Sequence, residues 1–229
     1  MLLWYYSTIV TWYYRGMYMK TIAICHQKGG VGKSMLTKSL SLELPGNVAV
    51  YDSDAQGSTA TWLERRQSSG EEKPVPVLGP VKRLPDLVAS ASSQGFDYFL
   101  VDTPPDHESE ANIRAAMSVA DFVVLPTKMS ADDLRILPKT ISIANDLGCA
   151  WAIILNMGTR SNILTQTEAN LTSMAQKLGG HFCPVTLNNR VVHVEATYAD
   201  ATAQEIDPSG LAAEELAQVT KHILKFMEA

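Results

Sequence analysis

The sequence of 229 residues predicts an α/β fold, a mostly parallel central sheet with helices on both faces. Two patterns predict it. Short runs of Val, Ile and Leu are apolar along nearly their whole length, and they alternate with stretches of helical periodicity. A strand that is apolar on both sides must be covered on both, which is the condition of a parallel sheet between helical layers. A third observation is a glycine-rich turn joining the first apolar run to the first helical one.

The elements follow in order. Residues 20–26 (KTIAICH) read as a strand, and 34–44 as a helix stopped by Pro45-Gly46. Residues 47–52 (NVAVYD) are a second strand, 58–67 a short helix and 75–78 a short strand after Ser68-Ser69-Gly70. A helix over 84–93 precedes a strand over 96–102 (FDYFLVD), and a helix over 109–120 precedes a strand over 121–126 (DFVVLP). A helix near 137–147 leads to a strand over 150–156 (AWAIILN). Ile163, Thr167, Leu171, Met174 and Leu178 recur at helical spacing, so 162–178 is a helix with one buried face. A late strand over 182–187 follows. Leu216, Val219, Ile223 and Phe226 form an apolar stripe on a last helix over 209–228.

Hydrophobic residues make up 46% of the chain, enough for a sizeable core. The expected organisation is one working domain over 19–229 after an N-terminal extension over 1–18. That extension holds five of the eight Tyr and two of the four Trp, with Arg15 its only charge. It lacks the basic start of a signal peptide and is too short to span a membrane as a helix. An upstream start is the expectation, and an interfacial or partner-binding tag is the alternative. Net charge is -5, so any nucleic-acid contact must come from a local basic patch. Cys25, Cys149 and Cys183 are scattered and odd in number, which fits a reducing cytoplasm rather than a disulfide framework.

Residues 28–34 read Lys-Gly-Gly-Val-Gly-Lys-Ser, between the first strand and the first helix. Glycines let successive backbone N–H groups turn inward around an anion, and the helix that follows points its positive end at the same place. The P-loop pattern G-x-x-x-x-G-K-[ST] is met except at its first glycine, where Gln27 stands. Gly29, Gly30, Val31, Gly32, Lys33 and Ser34 are therefore the candidate phosphate-binding residues. Lys33 is placed to reach the β- and γ-phosphates, and the Ser34 hydroxyl to ligate Mg²⁺.

Lys28, five residues before Lys33, is the informative departure. With it the loop resembles the deviant Walker A group, which includes ParA, MinD and the nitrogenase iron protein. The resemblance runs from about Lys20 to the C-terminus. It implies ATP and Mg²⁺ as cofactors and an ATP-dependent homodimer, in which Lys28 of one subunit approaches the phosphates bound by the other. A cation supplied in trans would stabilise charge developing during transfer.

Residues 52–58 (DSDAQGS) match the ParA pattern D-x-D-P-Q-G-S, with Ala55 in place of Pro. By that resemblance Asp54 positions the attacking water and Asp52 acts through the water shell of the metal. Asp102 ends an apolar run in the manner of a Walker B carboxylate and would hold a metal-bound water. Thr103-Pro104-Pro105 resembles the family's D-T-P-P turn, continued here by Asp106 instead of Gly. Asn156 stands where relatives contact the adenine base, or simply begins a loop. It is not followed by the N-K-x-D of GTP-binding proteins. Arg190 occupies the family's basic position in the C-terminal region, and both DNA contact and a plain surface role stand open for it.

The residues Gln56-Gly57-Ser58 favour ParA over MinD, and no cysteine lies just beyond Asp102 to bind a cluster. The chain thus resembles the short ParA class of DNA-partition ATPases, without an N-terminal helix-turn-helix. That class implies ATP hydrolysis, nonspecific DNA binding by the dimer, a ParB-like partner that stimulates hydrolysis, no membrane and a nucleoid-associated cytoplasmic location. A positioning ATPase for a protein cluster or microcompartment would share every one of these motifs.

Overall fold

A computed structural model describes residues 18–54, 57–104 and 110–228. The chain builds strands β1 (Lys20–Ile24), β2 (Val48–Asp52), β3 (Val75–Val77), β4 (Tyr98–Asp102), β5 (Phe122–Thr127), β6 (Ala150–Gly158), β7 (His181–Phe182) and β8 (Leu187–Asn188). The helices are α1 (Lys33–Glu43), α2 (Ser58–Ser68), α3 (Leu84–Ser93), α4 (Glu110–Ser118), α5 (Ala131–Asp146) and α6 (Asn162–Leu178). Helices α7 (Val191–Tyr198), α8 (Ala203–Ile206) and α9 (Leu211–Phe226) complete the chain.

The strands lie in the order β3-β2-β4-β1-β5-β6-β7, with β8 also paired to β6. Every pairing is parallel. Successive strand side chains point to opposite faces. Ile22 and Ile24 therefore pack with Leu36 and Leu40 of α1 and with Leu216 and Val219 of α9. Ala23 and Cys25 turn the other way, into a second core with Ile113, Leu137 and Leu171 of α4, α5 and α6. Two cores, one on each face, are the physical reason the strands are apolar throughout.

The register brings the functional ends together. Ile24 of β1 and Asp52 of β2 both stand opposite Asp102 of β4. These strand ends share the carboxyl edge of the sheet, where open α/β sheets take ligands.

The structure differs from expectation in two places and adds elements in a third. Helix α5 begins at Ala131 rather than near 137, and it runs through Pro138. Its start is fixed by Ser130, whose side chain accepts from the Asp133 N–H. The late strand over 182–187 is two short pieces, β7 and β8, separated by a stretch that contains Pro184, which has no N–H to give a ladder. The stretch after Asn189 folds into α7 and α8, the latter opened by a Thr202–Glu205 capping box.

Candidate nucleotide site

The loop between β1 and α1 is built on two left-handed glycines, Gly30 (φ 71°) and Gly32 (φ 95°). Gly32 is required twice over. Its φ disfavours any side chain, and a Cβ there would lie 2.0 Å from Asn156 Nδ2. Gly32 also occupies the N-cap of α1, with no side-chain cap and no acidic residue in the first turn. The N–H groups at this helix start are thus left for an anion. Gly29 and Gly30 are exposed, Val31 is buried, and Ser34 is half-buried at the mouth.

Asn156 lies beneath this loop. Its Nδ2 donates to Val31 O at 2.8 Å, and its Oδ1 accepts from Met157 N at 2.8 Å. In this conformation the carboxamide buttresses the phosphate loop from below.

Lys33 is buried, and its Nζ donates back across the loop to Lys28 O at 3.3 Å. Burial lowers its pKa, while Asp102, Cys25 and Asp54 oppose that loss of charge. Asp102 is fully buried. Its Oδ2 accepts from Thr59 Oγ1 at 2.7 Å, and among the described residues its Oδ1 has no hydrogen-bond partner. Burial, reinforced by the Asp52 charge, pushes its pKa up to about 6, against the pull of Thr59, Ser34 and Lys33. The Ser34 hydroxyl, which accepts from Ser58 Oγ at 3.3 Å, lies on the same side. A buried carboxylate oxygen without a partner, beside a hydroxyl, suits a hard cation. Mg²⁺ fits this donor set, because it takes few protein oxygens and completes its shell with water and phosphate.

Asp52 works inside the chain. Its Oδ1 accepts from Asp54 N at 2.9 Å, and its Oδ2 accepts from Thr59 N and Ala60 N at 2.9 and 3.0 Å. It therefore holds the Asp54 backbone and satisfies the start of α2. Asp54 is half-buried, near enough to act on the Lys33 charge. Ala55, Gln56, Pro105 and Asp106 lie outside the described residues, as do residues 1–17.

Lys28 has an engagement that its sequence position did not reveal. Its Nζ forms an ion pair with Asp133 Oδ1 at 2.9 Å, and Asp133 is fully buried. The second Asp133 oxygen takes the Ser130 hydroxyl. Burial acts to raise the Asp133 pKa, but Ser130, Lys28 and Lys128 outweigh it and hold the carboxyl below its usual range. The Lys28 N–H donates to His26 Nδ1 at 3.0 Å. Burial, helped by the Lys33 charge, drops His26 to about 4, so its imidazole stays a neutral acceptor. Reading Ser130-x-x-Asp133 as a helix start would have exposed this aspartate.

The C-terminal region shows how Arg190 is engaged. Arg190 grips Glu215 through two bonds, Nη2 to Oε1 at 2.6 Å and Nε to Oε2 at 3.3 Å. Glu215 also accepts from the Asn188 backbone and side chain at 3.0 and 2.6 Å. The guanidinium fork is thus spent within the fold and is not held out toward a nucleic acid. Cys25 and Cys183 are buried, and burial pushes their thiols up to about 12 and 11, so neither is a nucleophile at neutral pH.

Residues 22–225 match the family described as "CobQ/CobB/MinD/ParA nucleotide binding domain". The chain belongs to this family. Within the CobQ/CobB/MinD/ParA family, it is 33% identical over 130 residues to "Maintenance of carboxysome distribution protein A" of Gloeobacter kilaueensis, a match over 54% of this chain and 56% of that protein. The protein of the same name from Halothiobacillus neapolitanus is 23% identical over 212 residues, 89% of this chain and 96% of that one. "Protein IncC" of Escherichia coli is 28% identical over 170 residues, 56% and 46% of the two chains. The fold matches the ATP complex of Cyanothece McdA at a TM-score of 0.69 and 16% identity, over 92% of this chain and 97% of that one. It matches the putative plasmid partition protein of Borrelia burgdorferi B31 bound to AMPPNP at 0.71 and 16%, over 90% and 99%. The family domain spans every element that carries the site, from β1 to α9. Among the described residues, no helix is long and apolar enough to cross a membrane.

Proposed function

We propose that the chain is an ATPase that binds ATP with Mg²⁺ and dimerises on it, with residues 19–229 acting as one working domain. The dimer gains nonspecific affinity for DNA and hydrolyses ATP when a ParB-like partner stimulates it, which segregates plasmid or chromosomal DNA. The observation that carries this reading is the pairing of two lysines with one glycine nest. Lys33 lies in the nest, and Lys28 lies at its rim. Backbone N–H groups from residues 29–34 and the start of α1 hold the phosphates, with Lys33 on the β- and γ-oxygens. The Ser34 hydroxyl would ligate Mg²⁺, Asp102 would hold a water bound to it, and Asp52 would act through its water shell. Bound there, Mg²⁺ offsets the phosphate charge and polarises water. Asp54 orients the attacking water, and Lys28 of the opposing subunit neutralises charge on the transferred group.

A second reading has its own support. Two of the relatives carry the name of carboxysome distribution, so the cargo moved by the cycle can be a protein microcompartment in place of a replicon. The nucleotide chemistry is common to both.

The test is DNA binding with ATP, with ADP and without nucleotide, across a salt series. ATP-dependent, sequence-blind and salt-sensitive binding is expected, because each phosphate contact releases counterions. Binding that ignores the nucleotide would remove the proposed cycle. Pull-down of the genomic neighbour with and without DNA then separates the two cargoes.

A further inference from the structure

Strand β5 ends at Thr127, and the side chain of the next residue reaches the phosphate loop. A Cβ placed on Gly30 would lie 3.9 Å from Lys128 Nζ, so this ammonium hangs above the glycine turn. Lys128 is half-buried, and among the described residues it makes no hydrogen bond and no ion pair. Its charge nevertheless reaches Asp133, where it acts alongside Lys28 to keep the carboxyl ionised. Two ammonium groups thus face one buried carboxylate. Lys28 holds it at 2.9 Å, and Lys128 acts on it electrostatically without forming an ion pair.

The trans role of Lys28 creates a physical difficulty at this spot. To reach the opposing subunit's triphosphate, Lys28 must leave Asp133. Withdrawing one partner of a buried pair strands the other charge in a low dielectric, which is strongly unfavourable. The Ser130 hydroxyl satisfies Oδ2 only, so Oδ1 would be left alone. A second cation on a flexible four-carbon stem removes that penalty.

We propose that Lys128 is the exchange partner of Lys28. When Lys28 swings out to the nucleotide, Lys128 takes its place on Asp133 and keeps the carboxylate paired. Lys128 is then a positioning residue. It sets how readily Lys28 is released and never touches the phosphates. This rests on reading Lys28 as the trans-acting lysine.

The test compares the full-length wild type with Lys128→Gln, Lys128→Arg, Asp133→Asn and the Lys128→Gln/Asp133→Asn double variant. Sedimentation with a slowly hydrolysed ATP analogue and Mg²⁺ reads the dimer, and calorimetry at low protein concentration reads nucleotide affinity. Lys128→Gln is expected to weaken the ATP-dependent dimer by about tenfold or more, because a neutral amide only partly offsets the cost of stranding Asp133, with nucleotide affinity unchanged. Lys128→Arg restores the dimer. In the Asp133→Asn background, Lys128→Gln changes nothing, because no stranded charge remains. An equal loss in both backgrounds, or a loss of nucleotide affinity, overturns the inference in favour of a direct phosphate contact. Should Asp133→Asn fail to fold, the arginine variant decides. An arginine variant as weak as the glutamine one overturns the exchange. A wild type that binds nucleotide yet stays monomeric overturns the underlying reading of Lys28. Wild-type dimers indifferent to Lys128→Gln overturn the inference alone.

Discussion

The two borders of β1 hold the same kind of residue at the same depth, in opposite electrostatic states. On the β4 border Asp102 is fully buried with one oxygen unpartnered, and its pKa climbs to about 6. On the β5 border Asp133 is equally buried, yet Lys28, Lys128 and Ser130 keep it below the usual carboxylate range. Burial penalises both charges, and partners decide the direction in which each pKa moves. The β4 border awaits a cation from outside the chain. The β5 border is already supplied by the chain's own lysines. In the proposed cycle the first arrangement binds the metal, and the second restrains Lys28 until the dimer closes.

The largest effect that sharpens this contrast is loss of the lysine in the nest. Lys33→Ala removes the ammonium that lies in the nest and takes away one of the charges, beside that of Lys38, that act on Asp102. ATP affinity is expected to fall by about 100-fold or more, the scale of a lost charge-assisted contact in a buried site. Calorimetric titration measures it, and near-native affinity would break the assignment of the nest.

Next in size is Lys28→Ala on the other border. ATP binding should stay within about threefold of wild type, while partner-stimulated hydrolysis falls about 100-fold, the range for one lost transition-state donor. Stimulated phosphate release equal to wild type would refute the trans role.

The pH dependence of the two borders differs in a way that can be measured. Metal binding at Asp102 needs its ionised form, so apparent Mg²⁺ affinity should fall about tenfold per pH unit below the Asp102 pKa of about 6. Folding stability behaves otherwise. The raised Asp102 pKa contributes stability at low pH that is lost as pH rises through about 6. The lowered His26 pKa, about 4, contributes stability above its unfolded value that is lost as pH falls. Between those two values the slopes oppose each other. Urea midpoints without Mg²⁺ should therefore be nearly flat across the window in which Mg²⁺ affinity changes. A steep stability change there would show that another group dominates.

What the sequence disclosed about this site depended on separation along the chain. The glycine nest, Lys33 and Ser34 were legible because loop and helix start are contiguous. Asp102 was legible because an apolar run points at it. Asp133 was hidden twice. It meets Lys28 only through the β1–β5 pairing, and Pro138 made its helix look shorter than it is. Asn156 was marked as a site residue, but only the packed structure shows its carboxamide under Val31. The order of the central strands, too, depends on tertiary pairing that periodicity does not encode.

The smallest expected effect concerns Arg190, far along the chain from either border. Its sequence position suggested DNA contact, but its fork closes on Glu215, whose pKa is lowered by Arg190 and Asn188 in spite of burial. Arg190→Ala leaves Glu215 with its two Asn188 donors, so the chain should lose only about 1 kcal/mol of stability, as for a half-exposed pair with a surviving network. If the fork serves the fold alone, ATP-dependent DNA affinity should stay within about twofold once the variant is folded, with the salt slope unchanged. A slope smaller by about one would mean that Arg190 leaves Glu215 for a phosphate in the dimer. The C-terminal network would then release its charge on assembly, in the way proposed for Lys28 at the β5 border.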